Sequence, residues 1–126
     1  MKNLFVNYLY VKVYENKLEV KNVSVKGGWV SGYPDKPFST ERLLVGTFSA
    51  AEPALRKLFK DSLPNGWVKK NAKVVIHPID KVEGGLSEVE EKILKELAFG
   101  AGALKVALHV GDELTGSEVV KLINDL

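Results

Sequence analysis

The sequence contains no cysteine. Disulfide bonds and cysteine-ligated metal sites are therefore excluded, and a reducing cytoplasm is the expected location. An excess of one charge is also lacking, because 18 basic residues stand against 16 acidic residues and the net charge is +2. This balance argues against nucleic acid as a partner, since domains that bind nucleic acid carry a clear positive patch or excess.

Long apolar runs are lacking as well. No stretch approaches the roughly 18 apolar residues that a membrane-spanning helix requires, so we expect no membrane span. The apolar run near the N-terminus is interrupted at Asn7, too early for a signal peptide. The length of 126 residues fits one domain, and we expect a single subdomain over residues 1–126.

The first part of the chain alternates apolar and polar side chains, with the period of two that is typical of a β-strand. Residues 4–25 predict two antiparallel strands joined by a tight turn at Asn16. The glycine and prolines of residues 29–40 predict a loop. The short apolar segment 42–47 then predicts a third strand.

Hydroxyl residues stand just before three runs with helical apolar spacing, and we pair the first two with a glutamate three residues later, as in a capping box. The pairs are Ser49 with Glu52 and Ser87 with Glu90, and the third helix opens at Thr115 or Ser117. Gly100 is expected to end the second helix, since glycine favours helix C-termini.

Two apolar runs between these helices, residues 73–77 and 105–110, are typical of strands buried on both faces. The predicted order is therefore βββαβαβα. Strands separated by a helix are normally parallel, and strands joined by short turns are normally antiparallel. The predicted fold is α/β, with a five-stranded mixed sheet and helices packed on it. This is the ribonuclease H-like architecture, which also forms actin-like ATPase subdomains.

One segment carries a family resemblance. An acidic, lysine-rich helix ends in Gly-Ala-Gly-Ala at residues 100–103 and runs directly into a buried strand. This segment, residues 87–108, resembles the first (N-terminal) subdomain of MreB-type bacterial actin-like proteins, and the strand at 73–76 is similar to the strand that precedes that helix. The resemblance covers roughly residues 55–122 and implies a role in cell shape or the cytoskeleton.

The residues that bind ATP in that family are not matched. Actin-like ATPases have an Asp-Leu-Gly-Thr type turn after the first strand, whose amides hold phosphate. The corresponding residues here, 6–11, contain neither glycine nor an acid. An acidic residue at the end of the later buried strand is replaced by Val110 and Gly111, with Asp112 displaced nearby. We therefore expect no ATP binding, no cofactor and no catalytic residue.

Nuclease activity is disfavoured by the same kind of comparison. Ribonuclease H-like nucleases hold two divalent ions with a carboxylate cluster that includes one acid on the first strand. Here that strand offers only Asn3 and Asn7.

A repeated pattern suggests one candidate ligand site. Two segments each read Lys-Val, two apolar residues, His, two residues, Asp, and they place His77 with Asp80 and His109 with Asp112. Because parallel neighbours end at the same edge of a sheet, these four side chains are candidates for a metal or anion site. This is the alternative function: a small-ligand or metal-binding domain with residual phosphohydrolase activity. The other interpretation is that each His caps its strand and each Asp serves a turn.

Aromatic residues suggest the main candidate interface. Tyr8, Tyr10 and Tyr14 share one face of the first strand and form either an exposed strip for a partner or a surface covered by a helix. Trp67 beside Lys69–Lys70 matches a basic aromatic patch for nucleic acid, but the balanced charge favours a solvated loop. The expected function is a non-enzymatic protein-interaction or assembly module that binds itself or another protein.

Overall fold

The computed structural model describes residues 6–63 and 72–126. Within them, a five-stranded mixed sheet has the order β3-β2-β1-β4-β5. The pairs β1–β2 and β2–β3 are antiparallel, whereas β1–β4 and β4–β5 are parallel. The elements are β1 Asn7–Tyr14, β2 Lys17–Asn22, β3 Val30–Gly32, α1 Phe48–Ser62, β4 Ala72–Pro78, α2 Glu88–Gly100, β5 Lys105–Leu108 and α3 Gly116–Asn124. The predicted element order and mixed sheet are confirmed.

The predicted hairpin is also confirmed. Asn16 occupies the left-handed region with a φ of 53°, which asparagine tolerates better than most residues. Its side-chain oxygen accepts hydrogen bonds from the amides of Phe38 and Ser39 at 2.9 and 2.8 Å. The turn is therefore fixed both by its own backbone and by its attachment to the following loop.

The predicted third strand at residues 42–47 is wrong. The third strand is β3, inside the segment predicted to be a loop. Leu44 and Val45 are buried in the core, which explains the strand-like apolar pattern. The backbone there bonds locally instead of joining the sheet, because the amides of Gly46 and Thr47 both donate to the carbonyl of Phe38 at 2.9 Å.

The two faces of the sheet are covered by different helices. Helices α1 and α2 pack on the larger apolar face, which includes Leu9, Val11 and Val74. Helix α3 packs on the opposite face, where Tyr10, Val75 and Ala107 contact Val119 and Ile123. Full burial of one aliphatic side chain such as Ile123 contributes roughly 2–3 kcal/mol, so this small second core is enough to fix α3 on the sheet.

Capping decides where two of the three helices begin. Complete capping boxes join Ser87 with Glu90 and Thr115 with Glu118, as predicted for the first pair. The predicted cap at Ser49 is wrong, because α1 begins at Phe48 after Thr47, which makes no side-chain capping bond. The tethering of residues 46 and 47 to Phe38 sets this start instead.

Three remaining details concern the end of α2, an ion pair on α1 and the lengths of the helices. Helix α2 ends at Gly100, but the glycine with positive φ is Gly102, at 118°. Glu52, predicted to complete a capping box, instead pairs with Arg56 one turn later. The 15 residues of α1 fall short of the roughly 20 needed to cross a bilayer, and no helix in the described ranges is both long and apolar enough to do so.

Candidate functional site

The two histidines of the repeated pattern do come together. The amide of His109 donates to the carbonyl of Ile76 at 3.0 Å, which extends the β4–β5 pairing by one step. The rings of His77 and His109 lie with centroids 4.7 Å apart and an interplanar angle of 70°. The prediction that both lie at neighbouring strand ends is confirmed.

The four predicted residues His77, Asp80, His109 and Asp112 are not arranged to hold a metal. The Asp80 carboxylate accepts a hydrogen bond from the amide of Glu15 at 2.9 Å, which places it on the β1–β2 turn. Asp112 follows Gly111, whose φ of 123° reverses the chain, and its backbone carbonyl, not its carboxylate, lies 2.6 Å from His109 Nε2. Across residues 6–63 and 72–126, no group of three His, Cys, Asp or Glu is arranged to hold a metal. Asp80 serving a turn agrees with the other interpretation of the repeat.

His77 is held in one tautomer by its neighbours. Its Nε2 lies 2.9 Å from the carbonyl of Gly111, which only accepts hydrogen bonds, so Nε2 carries the proton. Its Nδ1 is then an acceptor, and the Tyr10 hydroxyl donates to it at 2.7 Å. The same hydroxyl oxygen accepts from the amide of Leu114 at 3.0 Å. The neutral ring thus joins β1, β4 and the loop between β5 and α3.

Burial controls the ionisation of this cluster. Burial lowers the pKa of His77, and electrostatic repulsion from the nearby His109 lowers it further, whereas the hydrogen bond to the Gly111 carbonyl raises it. Burial likewise raises the pKa of Tyr10, although the hydrogen bond from the Leu114 amide partly offsets this. Both groups are therefore neutral at physiological pH and serve as hydrogen-bonding groups, not as charged ligands.

A buried lysine lies next to this cluster and was not predicted. Lys12 is only 8% exposed, and its ammonium group lies 4.4 Å from the ring centroid of Trp29. It forms an ion pair with Glu113, as a buried charge requires. The ring of Trp29 in turn packs on Tyr10 with centroids 5.1 Å apart. In the sequence, this placement of Lys12 beside Tyr10 is indicated by their positions two residues apart, on the same face of the strand.

The predicted tyrosine strip is not an exposed interface at its centre. Tyr10 is 1% exposed and belongs to the core under α3, so the interpretation that a helix covers it is confirmed and its assignment to an interface is wrong. Tyr8 is half-buried and its hydroxyl donates to Asn124 of α3 at 3.1 Å. Tyr14 is also half-buried. This burial, and to a lesser extent the neighbouring Glu19 carboxylate, raises the pKa of Tyr14 to about 12.

The turn after the first strand is closed by side chains. Residues 7–11, compared above with a phosphate-binding turn, lie inside β1, and the turn itself is Glu15–Asn16. The amide of Glu15 donates to Asp80, and the amide of Asn16 donates to Ser39 Oγ at 3.0 Å. The Ser39 hydroxyl donates onward to the Leu44 carbonyl at 2.6 Å. Both turn amides are therefore used within the chain.

The suggested basic aromatic patch of Trp67 and Lys69–Lys70 lies outside the described residues.

Comparison with known proteins shows one relationship. No known protein-family profile matches the chain. The uncharacterized protein YjaA of Escherichia coli (strain K12) is 35% identical over 105 residues, which cover 79% of this chain and 80% of YjaA. Identity at this level over most of both chains shows common ancestry. This chain belongs to the YjaA family.

Proposed function

We propose that this chain is a non-enzymatic protein-interaction module with a ribonuclease H-like, actin-like fold related to the first subdomain of MreB-type proteins. Support for the fold comes from the antiparallel arrangement of β1, β2 and β3 and the parallel arrangement of β1, β4 and β5. Support for a role in assembly comes from the resemblance of residues 87–108 to that family.

The single observation that carries the non-enzymatic part is the closed turn at Glu15–Asn16. A phosphate-binding turn presents free backbone amides to the ligand. Here one amide is bonded to Asp80 and the other to Ser39. A phosphate would have to break both bonds and approach the Asp80 carboxylate, which repels it. Nucleotide binding at this edge is therefore disfavoured on two grounds.

The histidine cluster also supports the non-enzymatic assignment. Catalysis or metal binding by His77 would need a free ring nitrogen, but both of its nitrogens have partners inside the protein. Lys12, the nearest buried cation, is held by Glu113. The polar groups at the strand ends are thus used to join secondary-structure elements. The alternative of a small-ligand or metal site has weaker support, because Asp80 binds the Glu15 amide and the backbone carbonyl of Asp112 is the partner of His109.

Protein binding is the function that the remaining surface favours. Scattered exposed apolar residues are ordinary, but Leu43 and Val89, 38% and 68% exposed, border one apolar groove. Apolar surface that is grouped in this way is typical of protein contacts. The partner is a second copy of the chain or another protein.

Two measurements test this proposal. A coupled assay with ATP and Mg²⁺ should give no turnover above a buffer blank, and saturable turnover would overturn the non-enzymatic assignment. Light scattering after size exclusion should find the chain, purified alone or from its own host, in a stoichiometric complex larger than the monomer. A monomer in both preparations would contradict an interaction role.

A further inference from the structure

An apolar groove lies between α2 and the loop that precedes α1. Its apolar lining residues are Leu43, Leu44, Val45, Leu86, Val89, Ile93 and Leu94. Leu44 and Leu94 are buried and form its floor, whereas Leu43 and Val89 stand exposed at its rim. The volume of the groove is about 30 Å³, which leaves room for about one water molecule. The groove is therefore too small for a cofactor but fits the end of one aliphatic side chain.

An acidic edge adjoins this groove. Five carboxylates and two cations surround a shallow cleft that shares Glu90 with the groove. The carboxylates belong to Glu15, Glu41, Asp80, Glu83 and Glu90, and the cations to Arg42 and Lys81. This local excess of negative charge contrasts with the net charge of +2 for the whole chain.

Part of this negative charge is already used, and part is free. Lys81 lies 3.5 Å from Glu15, Glu90 accepts from the Ser87 amide, and Asp80 holds the turn. Glu41 and Glu83 are exposed, and in the described part of the chain neither forms an ion pair. These two carboxylates are therefore available to a partner's cations.

We propose that the groove and the acidic edge together bind a basic amphipathic helix of a partner protein. This proposal rests on the proposed function, and it names the surface and the chemistry of the partner. An aliphatic side chain of the helix enters the groove between Leu43 and Val89. Lysine or arginine side chains on the adjoining helix face meet Glu41 and Glu83.

The form of the groove favours a helix as the occupant. Val89 and Ile93 lie four residues apart on α2, and Leu86 lies just before its cap Ser87, so this side of the groove is a ridge along about one turn of α2. Such ridges pack into the grooves between the side chains of another helix, and helix-in-groove recognition uses anchors at this same spacing. The acidic edge disfavours nucleic acids and anionic lipids as occupants, because both are negatively charged.

A peptide titration tests this assignment on the full chain. The probe is a fluorescein-labelled synthetic helix with leucines at positions i, i+3, i+4 and i+7 and four lysines on the adjoining face. Fluorescence anisotropy should show saturable binding that weakens as salt rises. A scrambled peptide of equal composition, and one with glutamate in place of each lysine, should bind at least about tenfold more weakly, a difference of about 1.4 kcal/mol. Equal binding of the scrambled peptide would overturn the proposal.

Matched variants locate the binding surface. Val89→Lys should weaken peptide binding about tenfold, because it places a cation at the apolar rim, whereas Phe99→Lys, on another exposed side of α2, should change it less than about twofold. The double variant E41K/E83K should weaken binding about fivefold. E91K/E96K makes the same charge change next to Phe99 and should have little effect. Equal losses in both members of either pair would show that binding is not at the groove.

Two further outcomes separate this proposal from the one it rests on. If the peptide fails to bind while Val89→Lys abolishes self-association, the occupant is a second copy and the helix proposal is wrong, but an interaction role stands. Saturable turnover of ATP by the same preparation would overturn the proposed function, whatever the peptide does.

Discussion

The Tyr10→Phe substitution tests the hydrogen-bonded cluster most selectively. It removes one hydroxyl and keeps the ring that packs on Trp29 and beneath α3. The loss leaves His77 Nδ1 and the Leu114 amide without their partner at 2.7 and 3.0 Å. An unsatisfied buried polar group costs about 1–3 kcal/mol. Because Leu114 is only half-buried and gains water, we expect a total loss of about 2–3 kcal/mol in the free energy of unfolding.

Thermal and urea denaturation measure this loss. A change of 2–3 kcal/mol in a domain of this size lowers Tm by about 10 °C. Tyr8→Phe is the matched control, since it also removes one tyrosine hydroxyl from β1, but a half-buried one at 3.1 Å from Asn124. We expect it to cost less than about 1 kcal/mol. A Tyr10→Phe variant as stable as wild type, or one that changes oligomeric state without losing stability, would refute the assignment of Tyr10 to the core.

Three further predictions concern pH, capping and the turn. The pKa of His77 is lowered in the folded chain, so below the ordinary histidine pKa of about 6.5 the unfolded chain binds a proton that the folded chain does not. The free energy of unfolding, measured by urea denaturation, should therefore fall as the pH falls through this value. A free energy of unfolding that does not change with pH, in wild type as in His77→Gln, would contradict this. Ser87→Ala should lower the free energy of unfolding by about 1 kcal/mol because it removes a capping box, whereas Ser49→Ala should lower it by less than about 0.5 kcal/mol. If thermal denaturation found the larger loss in Ser49→Ala, α1 would be capped at Ser49. Asn16→Gly should lower the free energy of unfolding by about 1–3 kcal/mol, because glycine keeps the positive φ and loses only the hydrogen bonds to the amides of residues 38 and 39. Asn16→Ala should be less stable still, because alanine does not favour a positive φ. Equal stability of Asn16→Gly and wild type would mean that those hydrogen bonds contribute nothing.

The element order could be predicted because it depends on local patterns. The alternation along β1 and β2 and the hydroxyl–glutamate pair at Ser87 are each contained within a few residues. The position of the third strand could not be predicted, because the loop residues Leu44 and Val45 bury their side chains as strand residues would. What distinguishes this loop from a strand is the bonding of Gly46 and Thr47 to Phe38, which depends on how the whole loop folds over the core.

One part of the candidate site could likewise be predicted from the sequence, and another part could not. The meeting of His77 with His109 follows from strand order and register, which the sequence pattern predicts. The positions of Asp80 and Asp112 depend on loop conformations, in particular the positive φ of Gly111, and no short pattern specified them. Lys12 and Glu113 are 101 positions apart in the sequence, so their contact is seen only in the tertiary structure.

The closed turn can be examined directly by ¹H–¹⁵N correlation spectroscopy of the chain titrated with ATP and Mg²⁺. We predict that the amide signals of Glu15 and Asn16 do not move at millimolar nucleotide, because both amides already donate to side chains. Saturable shifts of these two signals would contradict the proposed function, since they would show that phosphate can displace Asp80 and Ser39.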